Sequence, residues 1–110
     1  MITDAVKTLI LNSVIDVSID NIDVISLQNS GGEYFRKEYQ SKDTISTKER
    51  KYTFYLTENE GNDDIVGLSL CGNGATVTLA TGTEMAAQNV EIEKTNTRSL
   101  LIYWNVRVVE

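Results

Sequence analysis

The stretch Leu100–Val109 constrains the fold of this chain more than any other. Leu100, Ile102, Trp104, Val106 and Val108 recur at every second position, with Leu101, Tyr103, Asn105, Arg107 and Val109 between them. An extended strand sends alternate side chains to opposite faces, so the first set forms one unbroken apolar face and the second a mixed one. A strand of this kind lies centrally in a sheet, or meets a neighbour as well as the core. Composition agrees. Ten Val, ten Ile and twelve Thr make 32 of 110 residues β-branched, and such side chains suit a pleated surface better than a helix.

The period of two recurs along the chain. Ile15–Asp20 and Ile22–Leu27 alternate around Asn21, and Asn29-Ser30-Gly31-Gly32 reads as a turn. Tyr34–Tyr39 and Thr44–Thr47 are weaker strands. Lys51–Thr57 puts Tyr52, Phe54 and Leu56 on one face, and Ile65–Cys71 does the same for Val66, Leu68 and Leu70. With the polar turn 58–63 between them, these two segments read as a hairpin. After Gly72-Asn73-Gly74, the residues Ala75, Val77 and Leu79 alternate with threonines, and Val90 and Ile92 alternate with glutamates. Residues 3–13 follow helical spacing instead, with Thr3 as a cap and Ile2, Val6, Leu9, Ile10 and Ser13 on one side.

The expected fold is therefore all-β, a mainly antiparallel β-sandwich or jelly-roll-like domain over 15–110, with a short N-terminal α-helix over 1–14 as a candidate anchor. Its core should hold Phe54, Leu68, Leu70, Val77, Ile102, Trp104 and Val106. The chain has no proline, so its sheet edges must be protected by charges or covered by other subunits.

Several function classes are poorly served. With no histidine and one cysteine, the chain has no Ser-His-Asp or Cys-His catalysis, no His-containing zinc site and no internal disulfide. We expect no enzyme, no cofactor and no metal. A net charge of −6 and a pI near 4.6 argue against nucleic acid, whose phosphates require surplus Lys and Arg. No apolar run approaches a membrane span, and the opening Met1-Ile2-Thr3-Asp4 does not read as a secretory signal. Cys71 fits a small apolar filler in a chain folded in a reducing cytoplasm.

Three constellations invite a sharper reading. Glu58, Glu60, Asn62, Asp63 and Asp64 place hard oxygens in one loop, as calcium prefers, but not at EF-hand spacing, and a polar turn explains them better. Gly72–Thr76 lacks the lysine of a phosphate loop. Tyr34, Phe35, Tyr39, Tyr55 and Tyr103 could stack on sugars, although core or interface packing accounts for them equally. Charge is uneven: residues 36–51 carry a net +3, and residues 52–93 carry seven acids and no base. Solvated loops explain this, as would complementary surfaces on adjacent subunits.

The run Gly72-Asn73-Gly74-Ala75-Thr76-Val77-Thr78-Leu79-Ala80-Thr81-Gly82-Thr83 resembles a segment of small bacteriophage virion proteins. The endings Lys94–Leu100 and Tyr103–Glu110, and the opening Met1–Lys7, resemble the same proteins, which are of the tail-fibre-like or head-decoration type. The resemblance covers about half the chain and leaves residues 29–64 outside it. It implies a structural protein of the virion, assembled in the host cytoplasm and decorating or connecting parts of the capsid or tail. Its partners would be copies of itself, in closed symmetry that is often threefold, and other virion proteins. The expected subunit contact is Leu101, Tyr103, Asn105 and Arg107 on the outer side of the last strand, with Val6, Leu9 and Ile10 from the N-terminal helix. A second expectation is a receptor-binding module for host surface glycan.

Overall fold

Among the described residues eight segments are extended, and each finds a partner. A computed structural model describes residues 6–15 and 19–108. Its strands are β1 (Val6–Ile15), β2 (Ile22–Asn29), β3 (Gly32–Glu38), β4 (Ser41–Ser46), β5 (Glu49–Leu56), β6 (Asp63–Gly72), β7 (Thr83–Lys94) and β8 (Ser99–Val108). They form two four-stranded sheets, one in the order β1-β8-β5-β4 (sheet A) and the other β3-β2-β6-β7 (sheet B). All pairings are antiparallel except β1 with β8, which is parallel.

The core lies between the sheets. From sheet A come Trp104, Tyr52, Phe54, Leu56, Leu100 and Ile102, and from sheet B Ile25, Leu27, Leu68 and Leu70, all fully buried. The rings of Tyr52 and Phe54 stack at 6.4 Å, and Tyr39 meets Tyr52 edge-on at 5.3 Å. The Tyr52 hydroxyl donates to the Ile19 carbonyl, so its polar end is satisfied inside the core. Burial, with the Asp20 and Tyr39 charges behind it, pushes the Tyr52 phenol's pKa well above the ordinary value.

The expected N-terminal helix is not there. Residues Val6–Ile15 form β1, and residues 1–5 lie outside the described part. Two physical terms decide this. A helix of three turns is marginal without docking, whereas the open edge of β8 offers a ladder ten residues long, from Val6 opposite Ser99 to Ile15 opposite Val108. In that register Leu9, Leu11 and Ile15 face inward beside Ile102, Trp104 and Val108, while Ile10 and Val14 face outward beside Tyr103 and Arg107. The Trp104 indole N–H donates to Ser13 Oγ at 2.8 Å and fastens the added strand to the sheet.

Three other expectations change. β5 and β6 do not pair as a hairpin. β5 lies between β4 and β8, and β6 between β2 and β7, so the turn 57–62 carries the chain from one layer to the other. Val66 leaves the face of Leu68 and Leu70: a bulge between Ile65 and Gly67 turns it outward, 42% exposed, and brings Ile65 into the core instead. The segment 75–79 is a loop and not a strand, so Val77 (55% exposed) and Leu79 are outside the core where Val77 was expected.

The edges are managed without proline. β7 is an edge strand of sheet B, and its outward positions include Glu84, Glu91 and Glu93. β1 is bridged to β7 across the layers by Gln88, whose Nε2 donates to the Asn12 carbonyl at 2.8 Å and to Ser13 Oγ at 3.2 Å.

Candidate functional site

The outer face of sheet B has a built hollow. Outward positions align in rungs across all four strands: Arg36–Ser26–Ser69–Ala87 on one, and Glu33–Gln28–Gly67–Asn89 on the next. The two central strands contribute Ser26, Ser69 and Gly67, small residues where a sheet face normally carries large ones. Gly67 stands inside a strand, where glycine weakens pairing and often marks a close approach. The result is a cavity of about 510 Å³, floored by these residues and Ala87, with Glu84 and Asn89 on one side and Glu33, Arg36 and the loop 80–82 on the other.

Arg36 holds the loop side in place. Its side chain is 3% exposed. Nε donates to Glu33 Oε2 at 2.7 Å, and Nη1 donates to the carbonyls of Thr76 (3.0 Å) and Thr81 (2.9 Å) and to Thr81 Oγ1 (3.0 Å). Glu33 also accepts from Ser26 Oγ and, at 2.9 Å, from the Ala80 N–H. Burial alone would raise the Glu33 pKa, but the donors Arg36, Ser26 and Ala80, with the Arg36 charge, outweigh it and hold the carboxyl below the usual range. Ala75 packs on Val24 and Cys71 beneath the same loop. Gly82, at φ +74°, closes the loop where only glycine fits, since a Cβ there would lie 2.4 Å from both Ala75 Cβ and the Gly72 carbonyl.

The opposite wall is less neutralised. Glu84 Oε2 accepts from Ser69 Oγ at 2.6 Å, and among the described residues no Lys or Arg pairs with it. Gln28 Nε2 reaches Ser26 Oγ at 2.8 Å and Ser69 Oγ at 3.3 Å, which leaves its Oε1 available.

None of these cavity residues was singled out from the sequence. The signal that could have found them is the pair Ser26 and Ser69, with Gly67, at outward positions of otherwise apolar strands.

The expected contact residues fall on sheet A. Leu101, Tyr103, Asn105, Arg107 and Ile10 share its outer face, where Ile10 is 63% and Val14 58% exposed. Asn105 Nδ2 donates to Asn12 Oδ1 at 3.1 Å, and the Lys51 ammonium sits 5.0 Å over the Tyr103 ring. Leu9 is not on this face; it points inward and packs against the core. The side chain of Val6 lies outside the described residues.

The aromatic candidates for sugar stacking are dispersed. Phe35 packs against the core, and Tyr34 donates its hydroxyl to the Gly61 carbonyl at 2.7 Å. Burial, with Asp63 and Asp64 nearby, pushes the Tyr34 phenol up to about 12. Tyr55 and Tyr103 lie on the outer face of sheet A. The basic segment 36–51 is largely paired within its own chain: Arg36 with Glu33, Lys37 with Glu60 at 2.6 Å, and Lys42 and Arg50 with Asp20.

The oxygen-rich loop 58–64 already holds a cation. The Lys94 ammonium, in a residue 2% exposed, donates to the Thr57 carbonyl and Asn62 Oδ1, both at 2.8 Å, and more weakly to the carbonyls of Thr95 and Glu58. Burial pulls its pKa down, against the raising influence of Glu60 and Glu58. Lys94→Met should cost about 1–3 kcal/mol by stripping these acceptors, with hydrogen exchange speeding up across 57–62. Calcium should leave the wild-type melting temperature unchanged; a rise would show that the loop prefers the metal to the ammonium.

Compared with known protein families, curated proteins and solved structures, the chain matches none of them.

Proposed function

We propose that this chain is a structural subunit of a bacteriophage particle, a β-sandwich module that associates with copies of itself and joins or decorates parts of the capsid or tail. The single observation that carries the assembly part is the outer face of sheet A. Its edge strand β1 leaves Ile10 and Val14 more than half exposed, beside Tyr103 and Arg107 on β8, with Leu101 on the same face. A two-sheet domain already buries its inner faces, so an apolar row on an outer face gains by meeting another molecule. The edge position favours a second copy, because an edge strand also presents backbone groups that a symmetric partner can share. The virion assignment is supported by the resemblance of the Gly72–Thr83 segment and the C-terminal strand to small phage structural proteins.

Sedimentation of the purified chain tests the assembly. We expect a discrete oligomer in the wild type and a shift towards monomer in Ile10→Lys/Val14→Lys, both side chains being exposed and their replacement harmless to the core. A clean wild-type monomer at high micromolar concentration would overturn self-association. Labelling of the intact particle, read by electron microscopy, tests the location.

A further inference from the structure

We propose that the hollow on the outer face of sheet B is a binding site for a neutral, polyhydroxylated ligand, by chemical class a saccharide. This uses the sheet opposite to the assembly face, so either reading can fail without the other.

Four observations support it. The hollow is about 510 Å³, within the range of pockets that take small ligands. Its depth is built in, because Ser26, Gly67, Ser69 and Ala87 leave unfilled what larger outward side chains would occupy. Its far wall is fixed, because Arg36 and Glu33, themselves paired, tie the loop 76–81 down through four hydrogen bonds, and a fixed wall lowers the ordering cost of binding. Its lining is polar and mixed: one carboxylate without a basic partner among the described residues (Glu84), and carboxamides on Gln28 and Asn89.

The chemistry of the lining selects among ligands. An apolar ligand finds no large apolar or aromatic side chain in the lining. An anion meets Glu84, while Arg36 is committed to Glu33 and the loop. A hard cation needs six or more oxygens, and among the described residues no cluster of metal-ligating side chains exists. A hydroxyl group fits what remains. It can donate to the Glu84 carboxylate or to Gln28 Oε1 while accepting from the Asn89 N–H, the Gln28 N–H groups being spent on Ser26 and Ser69. Neighbouring hydroxyls on a sugar ring satisfy several such groups at once.

Amide-resolved magnetic resonance on the isotope-labelled full chain tests this. One arm titrates free glucose, galactose, mannose and N-acetylglucosamine. The other titrates dextran and a purified bacterial cell-wall polysaccharide. Shifts at the amides of Gly67, Ser69, Glu84 and Asn89 are expected in at least one arm; a response confined to the polymers assigns the site to a glycan chain, and a response to monomers to the free sugar. Glu84→Gln should weaken binding about tenfold. Gly67→Val and Ala87→Leu should abolish it by filling the floor. A Cβ at Gly67 meets only the flexible end of Gln28, 2.7 Å away, and Ala87 is exposed, so Ala87→Leu carries the test if Gly67→Val fails to fold. Absence of shifts with every probe, or shifts that persist in a folded filled variant, would overturn the proposal.

Discussion

Trp104→Ala is expected to destabilise the fold by about 3–5 kcal/mol, the usual cost of emptying a large aromatic site. That is much of the stability of a domain this size. Trp104 is fully buried on β8, between β1 and β5, opposite Leu11 and Tyr52. Its removal leaves a void that the rigid ladder on either side cannot close, and it also removes the donor to Ser13 Oγ. Trp104→Phe refills most of the volume and loses mainly that hydrogen bond, so it should cost about 1–2 kcal/mol. Denaturant titration measures both variants. In the wild type the single tryptophan is its own reporter, with blue-shifted emission until unfolding. A cost below 1 kcal/mol for Trp104→Ala would mean that the two sheets do not close over this side chain.

Arg36→Leu is expected to cost about 3 kcal/mol, because removing one partner of a buried pair leaves the other charge without compensation. Glu33 would keep its burial and lose its strongest donor, while the carbonyls of Thr76 and Thr81 would lose theirs. Hydrogen exchange should speed up through 75–82 while the core strands stay protected. The pH dependence has a definite sign. In the wild type, the folded pKa of Glu33 lies below its ordinary 4.5, so the stability it contributes is present above that value and is lost as pH falls through the folded pKa. In the variant the Arg36 hydrogen bond and charge are gone while burial and the Ser26 and Ala80 donors remain, so the folded pKa moves up and Glu33 contributes less stability at neutral pH. The stability gap between the two proteins should therefore be widest at neutral pH and narrow in acid. A gap that stays constant with pH would show that Arg36 acts by packing alone.

How much of this was legible beforehand depends on the range of the interaction. The inward face of β8 was readable because period-two alternation is a local property, and Phe54, Leu68, Leu70, Ile102, Trp104 and Val106 all lie in the core as expected. The turn at 29–32 was readable for the same reason. The error at residues 3–13 came from a segment compatible with both periods, in which the free edge of β8, some ninety residues away, was decisive. Val66 was misplaced by a single bulge, since one extra residue reverses a strand's facing.

The hollow on the outer face of sheet B was not legible at all. Arg36 meets Thr81 across 45 positions, and Ser26 meets Ser69 because β2 pairs with β6. Alternation says which side of a strand a residue occupies, but not which strand lies beside it. From its own residues, the chain determined that it would be largely extended, that Phe54, Leu68, Leu70, Ile102, Trp104 and Val106 would be dry, and that chemistry based on histidine or paired cysteines was closed to it. The tertiary structure decided the rest: β1 as a strand, β5 and β6 in separate sheets, and the hollow on sheet B. Each of these depends on free energy gained only when distant segments meet, so no local window of sequence contains it.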